Sequence, residues 1–415
     1  MTLPYFSVTP SHTGTVRERG PSSQHWPVGS HRDPTLREGE RIMAICNACR
    51  YCEGYCAVFP AMEKRQTFPV GDLRYLANLC HDCGECLYAC QYASPHEFAV
   101  NVPRTFAQLR LESYEQYAWP AVLSRAFRRN SVGTSVALSV AMIVVMLLLA
   151  LAIGSPAPAQ TADFYSVVPH QVMVALFGAV FTFVLVALGV GLARFRRDTL
   201  PGSRPEPLEG RGTRPTYGGR VLPAYVGRVP RSGPAVRWSV LRDILTLKNL
   251  HAHGTDCTYA GEEARAPWRR WFHHCTFYGF LLCFASTSVA AIYHWLGWSA
   301  PYAYTSLPVV LGAVGGFGLL IGPAGLYSIG RMRDPAATDP GQRPFDLGFL
   351  VLLFLSSLTG LALLVLRETG TMVTLLVVHL GVVLALFVTL PYGKFVHGLY
   401  RAAALVKSAN ESSRE

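Results

Sequence analysis

The stretch Cys46-Asn-Ala-Cys49-Arg-Tyr-Cys52-Glu-Gly-Tyr-Cys56 and its echo Cys80-His-Asp-Cys83-Gly-Glu-Cys86-Leu-Tyr-Ala-Cys90 share one spacing, C-x2-C-x2-C-x3-C, and use eight of the eleven cysteines. A [4Fe–4S] cube needs four thiolates converging on its irons. Three cysteines at this spacing can wrap one cube, and the fourth arrives from afar; in doubled runs the last cysteine of each serves the other cluster. The expected ligand sets are therefore Cys46, Cys49, Cys52 and Cys90 for one cluster, and Cys80, Cys83, Cys86 and Cys56 for the other. Ala48, Gly54, Gly84 and Ala89 are small enough to let backbone lie against a cluster. One departure stands out: ferredoxin runs end in Cys-Pro, whereas Cys56 precedes Ala57 and Cys90 precedes Gln91. Structural zinc prefers paired C-x2-C units, often with histidine. Disulfides need an oxidising compartment, and no signal-peptide pattern opens the chain.

Outward from the cysteines the chain turns apolar. Half of its 415 residues are hydrophobic and only 15% are charged. Six segments, near 134–154, 167–193, 272–298, 305–329, 347–366 and 371–391, each approach or exceed the roughly 20 apolar residues that cross a bilayer core. The net charge of +11 is arranged for orientation rather than for nucleic acid. Arg125, Arg128 and Arg129 precede the first segment, and Arg194, Arg196 and Arg197 follow the second. Arg269 and Arg270 precede the third, Arg331 and Arg333 follow the fourth, and Lys394 and Arg401 follow the sixth. Loops 155–166 and 299–304 hold no Lys or Arg, and Arg367 is the one exception between segments five and six. By the positive-inside rule both termini and the cysteine domain are expected in the cytoplasm, with lipid contact as a by-product of the basic loops.

The expected layout follows. Residues 1–40, rich in Pro, Ser, Gly and Arg, read as disordered. Residues 41–118 form the cluster domain, and 119–193 hold an amphipathic lead-in and the first two transmembrane helices. A Pro/Gly/Arg-rich cytoplasmic linker covers 194–271, the last four helices 272–400, and a cytoplasmic tail 401–415. The expected fold is a small α+β ferredoxin-like or α-helical two-cluster domain followed by an all-α six-helix transmembrane domain.

Ionisable side chains at membrane depth are functional candidates. His273 and His274 open the third segment and His294 is near its far end; His379 lies inside the sixth, and His397 lies beyond it. Facing imidazoles are the axial ligands a b-type haem requires. His379 and His397 are 18 residues apart, five whole turns, so on one straight helix they share a face about 27 Å apart; Pro391 between them is a candidate break. Helix direction pairs His273 or His274 with His397 on the cytoplasmic side and His294 with His379 on the other, with His170 as a rival ligand. Cys275 and Cys283 read as small hydrophobes in a span. Cys257, near His251 and His253, reads as a surface loop. Gly312-Ala-Val-Gly315-Gly316-Phe-Gly318 lies inside a span, where small residues bring helices together. No nucleotide fingerprint follows a predicted strand, so the chain is expected to bind neither NAD nor FAD and to receive its electrons from another protein. Quinone-site candidates are His397, Lys394, Tyr392 and the region His96–Arg104.

The doubled cysteine run, Ser94-Pro-His-Glu-Phe-Ala-Val-Asn-Val-Pro103, Arg270-Trp-Phe-His-His-Cys-Thr-Phe-Tyr-Gly-Phe280, Cys283-Phe-Ala-Ser-Thr287 and Leu390-Pro-Tyr-Gly-Lys-Phe-Val-His397 together resemble the tricarballylate-utilisation protein B (TcuB or CitB) family over roughly residues 41–405. The resemblance implies a bacterial inner-membrane electron-transfer protein that reoxidises the FAD of a partner dehydrogenase, such as tricarballylate dehydrogenase. Two [4Fe–4S] clusters, and haem b where present, would pass the electrons to the quinone pool. The chain would then be the redox subunit of a dehydrogenase:quinone oxidoreductase system, without an organic substrate of its own. A tricarboxylate transporter would share the six spans but leaves the cysteines unexplained. A membrane redox sensor would need an output domain that 194–271 is too rich in proline and glycine to supply.

Overall fold

The computed structural model describes residues 31–153, 164–200, 234–250, 268–298 and 300–413. Most of the expected disordered segment and linker lie outside these, as does Cys257 with His251 and His253.

The cysteine domain is helical. Helix α1 (Pro34–Cys49) starts where Asp33 accepts the Thr35 N–H at 2.8 Å, with Pro34 in the first turn, a local start signal. It therefore begins inside the 1–40 segment that composition assigned to disorder. Helices α2 (Val58–Glu63), α3 (Val70–Leu79), α4 (Glu85–Tyr88) and α5 (Val102–Tyr117) follow. Ile42 and Met43 of α1, Leu73 and Leu76 of α3, and Phe106 and Leu109 of α5 form a shared buried core. Of the two architectures expected for this domain, the structure takes the α-helical one: the described residues contain no strand.

Helix α6 (Ala121–Arg129) is the amphipathic lead-in, burying only Ser124 and Phe127. It turns into α7 (Ser131–Ile153); then come α8 (Phe164–Val167), α9 (His170–Thr199), α10 (Pro234–Leu245), α11 (Trp268–Trp295), α12 (Leu307–Met332), α13 (Gln342–Leu366), α14 (Met372–Thr389) and α15 (Val396–Ser412). Six of these, α7, α9, α11, α12, α13 and α14, are long and apolar enough to cross a membrane, and they coincide within a few residues with the six expected segments. This makes the chain a multi-pass membrane protein. Exposed Val140, Leu148, Leu151, Leu185 and Val314 are what lipid-facing helix surfaces carry. Helices α11 and α12 pack at glycine: a Cβ on Gly315 would meet the Gly279 carbonyl and the Cys283 nitrogen at 2.8 Å.

The expected linker and tail are partly structural. Helix α9 runs on to Thr199, and its Phe195 joins the cysteine-domain core beside Tyr117 and Tyr400. Asp198 at its end accepts from Arg74 Nη1 at 2.7 Å and from the Tyr117 hydroxyl at 2.6 Å. Residues 401–412 continue α15 and pack along α3, where Arg65 pairs with Glu411 at 2.8 Å and Lys407 lies over the Tyr75 ring. Tyr400 and Ala404, one turn apart and buried, are the stripe that holds this helix down. The 18-residue face-sharing expected for His379 and His397 does not apply. Helix α14 ends at Thr389 and α15 opens at Val396, because Pro391 offers no N–H to continue the ladder.

Candidate functional site

The two cysteine runs lie on tight turns between helices. Cys46 and Cys49 close α1, and Arg50 turns left-handed there at φ 56°. In the second run Asp82 (φ 57°) and Gly84 (φ 85°) do the same, placing Cys80, Cys83 and Cys86 around one bend. Proximity between the runs is crossed. The Cys46 and Cys52 thiols are pushed up to about 12, first by burial and then by the charge of Cys90 beside them. Cys56 lies instead beside Cys83 and Cys80, with burial again the largest cause of its raised thiol. Cys86 stands beside Cys83, Cys80 and Cys56, and also near Cys52 of the first run, and is raised first by burial. A small cavity bounded by Cys46, Cys49, Cys52, Cys86 and Cys90 is floored by Ile45, Phe59, Val100 and Val102. The donor set, eight thiols in two runs of the ferredoxin spacing, is of the kind that [4Fe–4S] clusters take.

Between the cysteine domain and the helices lies a second, much larger cavity of about 1010 Å³. It is lined by His81 and Asp82, the two residues between Cys80 and Cys83, and by His273 of α11 and His397 of α15. Arg110, Arg269, Arg333, Lys394 and Arg401 make the end near the cysteines cationic, while Phe280, Phe349, Leu350 and Leu353 line the apolar end. On this cavity the buried nitrogens His81 Nδ1, His273 Nδ1 and Arg401 Nε have no hydrogen-bond partner among the described residues. Buried polar atoms are nearly always satisfied, so these mark a place for a ligand. Lys394 pairs with Asp346 on the same lining at 2.7 Å; burial lowers the Lys394 ammonium despite that carboxylate.

The five candidate histidines are distributed unequally. The ring centres of His273 and His397 are 6.0 Å apart, with the rings tilted 45° to each other. Two imidazoles bonded to one metal at about 2 Å each stand roughly 6 Å apart between ring centres. His397 Nδ1–H donates to the Lys394 carbonyl, which leaves the lone pair on Nε2, the tautomer that a carbonyl behind the ring fixes in metal-ligating histidines. Burial, followed by the charges of Lys394 and Arg401, holds His397 well below the usual imidazole range and hence neutral, as a ligand must be. His274 stacks on Tyr278 and receives a 3.4 Å contact from Arg270; it does not line the cavity. His294, at the other end of α11, stacks on His170 with ring centres 3.7 Å apart, too close to admit a metal between them. His379 bonds to Thr359 at 3.0 Å between α13 and α14. The structure thus brings His294 to His170, the rival, and not to His379. Among the quinone candidates, His397 and Lys394 line the cavity; Tyr392 donates to the Trp119 carbonyl at 2.9 Å instead, and residues 96–104 are not part of its lining.

Asp82 and Arg110 do not stand out in the sequence. Asp82 sits in the most conspicuous motif of the chain, and an acidic residue between two cluster cysteines is the available signal; Arg110 is one arginine in an ordinary amphipathic helix.

Fold and site together define a membrane protein of apolar helices carrying a cysteine-rich, ferredoxin-type ligand domain on one end. A family profile described as "Citrate utilization protein B" matches residues 125–415, and one described as "Citrate utilization protein B Fer4-like domain" matches residues 39–116. The chain is 46% identical over 384 residues to the citrate utilization protein B of Escherichia coli, covering 91% of this chain and 93% of that one. It belongs to the citrate utilization protein B family. No solved structure matches it.

Proposed function

We propose that this protein carries electrons from the reduced FAD of a partner dehydrogenase of the tricarballylate dehydrogenase type to the quinone pool of the bacterial inner membrane, with its cysteine domain in the cytoplasm. The observation that carries the reading is the sequence of sites: eight cysteines in two crossed sets, then a wall formed by the loop between Cys80 and Cys83, then a membrane-facing cavity with a close histidine pair. Cys46, Cys49, Cys52 and Cys90 hold one [4Fe–4S] cluster, and Cys80, Cys83, Cys86 and Cys56 the other. His273 and His397 hold haem b. When bound, these groups are one-electron carriers, which divide the two electrons of a flavin into single steps. The chain's own residues do the rest. The apolar floor of Ile45, Phe59, Val100 and Val102 keeps water from the first ligand set. His397 keeps its proton on Nδ1 toward Lys394 and presents Nε2 to the cavity. Lys394 and Asp346 hold a proton at the cavity wall, where quinone reduction consumes protons.

Two measurements test this. Reduced protein in detergent should show [4Fe–4S]⁺ EPR signals and the α-band of low-spin haem; missing cluster signals sink the central claim. Reduced partner flavoprotein mixed with this protein and a quinone should be reoxidised, and a flavin that stays reduced rejects the electron-transfer role.

A further inference from the structure

Four arginines from four different elements close on the short loop Cys80-His81-Asp82. From α5, Arg110 Nη1 donates to the Ala77 carbonyl at 3.3 Å and to the Cys80 carbonyl at 3.5 Å, and its Nη2 lies 3.3 Å from Asp82 Oδ1. From α11, Arg269 donates to the carbonyls of His81 at 3.0 Å and Asp82 at 2.8 Å. Just past α12, Arg333 donates to Asp82 Oδ2 and to its carbonyl, both at 2.9 Å. From α15, Arg401 Nη2 donates to the Cys80 carbonyl at 2.6 Å. The loop itself turns the Asp82 N–H onto Cys80 Sγ at 3.4 Å. The carboxylate that the collar grips is that of Asp82, only 5% exposed. Burial opposes its charge, but Arg333 and Arg110 outweigh burial and hold the carboxyl well below its usual range.

The other ligand set has a different neighbourhood. Glu85, also 5% exposed, belongs to the second run beside Cys86 and places its carboxylate near Cys52 of the first, so its charge reaches both sets, whereas the four guanidinium groups bond to the Cys80 side. Arg50, an exposed residue, turns its Nε to the Asn47 carbonyl at 3.2 Å. Reduction of a [4Fe–4S] cluster by one electron adds one negative charge to an already anionic thiolate assembly. Cluster potentials respond to net charge, to hydrogen bonds on the sulfurs and to exposure, and buried charges are little screened.

We propose that Arg110, Arg269, Arg333 and Arg401 are tuning residues that set the cluster of Cys80, Cys83, Cys86 and Cys56 at the higher potential of the two, making it the exit cluster on the membrane cavity. The proposal rests on the two-cluster reading above. One electron passes from the reduced Cys46-side cluster to the oxidised Cys80-side cluster; the first is oxidised, the second reduced, and no bond or proton moves. The electron enters from the reduced flavin of the donor and leaves across His81 and Asp82, which form the wall shared by the cluster loop and the cavity.

The test is an EPR-monitored redox titration of the purified, cluster-loaded protein, read as two one-electron steps. Arg333→Gln should lower the upper step about tenfold in its electron-partition constant, or about 59 mV for one electron, and leave the lower step in place. Arg333→Lys, which retains the charge, should leave both where they were. Asp82→Asn removes the opposing charge and should raise the upper step. Arg401→Gln, acting from a different helix, should lower it and stands in if Arg333→Gln loses iron. Opposite signs for the Arg and Asp variants are not produced by loosened packing alone. Movement of the lower step, equal movement of both, or a common sign for Arg333→Gln and Asp82→Asn overturns the proposal. Absence of both cluster signals from the unaltered protein is a different failure, that of the two-cluster reading itself.

Discussion

Replacing Gly315 by alanine tests whether the α11–α12 contact holds His273 in place. An alanine Cβ would lie 2.8 Å from the Gly279 carbonyl oxygen, 2.8 Å from the Cys283 nitrogen and 2.9 Å from Cys283 Sγ. Ordinary van der Waals contact begins at 3.4 Å, so the two backbones must part by about 0.6 Å, the difference between 3.4 and 2.8. The two closest obstacles are main chain, fixed in a helix that continues several turns to either side, and not the ends of flexible side chains. Forcing an extra methyl into such a contact costs about 1–3 kcal/mol. Alanine also gains up to about 1 kcal/mol over glycine in a helix interior, so the comparison needs a variant that receives this gain without the clash. A Cβ added to Gly178 of α9 would meet nothing within 4 Å, and Gly178→Ala supplies that variant. In one detergent, Gly315→Ala should be less stable than Gly178→Ala by about 1–3 kcal/mol. Because α11 also carries His273, a shift of this size exceeds the roughly 0.5 Å tolerance of a ligand constellation, and the haem α-band should weaken in parallel. Equal stability of the two variants would refute the close-packing argument; an unchanged α-band in a destabilised Gly315→Ala would refute the link to His273.

Other outcomes follow from the site. Cys46→Ser and Cys90→Ser should abolish the same EPR signal, and Cys56→Ser the one that Cys80→Ser removes; a Cys90 effect grouped with Cys80 would mean uncrossed ligand sets. His273→Ala and His397→Ala should each eliminate the α-band, whereas His379→Ala should spare it, as read in visible spectra of reduced protein. Arg65→Ala breaks a pair with Glu411 and another with Asp72, each at 2.8 Å. Hydrogen bonds to charged groups contribute about 1.5–3 kcal/mol, so urea titration should find the cysteine domain destabilised by about that amount, with α15 more open to protease.

The membrane helices are legible in the sequence because each is a property of a contiguous stretch: Val136 to Ile153 contains no charge and needs no partner to be apolar. Pro391 likewise marks a break that α14 and α15 respect. The helical start at Pro34 is hidden because the surrounding forty residues outvote a three-residue cap in composition. The docked tail is hidden because Tyr400 and Ala404 gain meaning only against Tyr114, Tyr117 and Phe195, which belong to distant parts of the chain. Arg269, Arg333 and Arg401 have the placement of orientation charges; their donation to the Cys80–Asp82 loop is a second role that no spacing announces.

By itself, then, the sequence determined the spacing of the thiols and the apolar helices: eight cysteines in a doubled run and six stretches long and apolar enough to cross a membrane. These are set by neighbours along the chain, within a turn or two. Only the tertiary structure decided that His294 meets His170 and not His379, that the C-terminal helix docks on the cysteine domain, and that four arginines close on one loop. Each of these joins residues tens to hundreds of positions apart. Such encounters are selected by the packing of whole helices, through buried cores and glycine contacts, and not by any pattern a short window of sequence can hold.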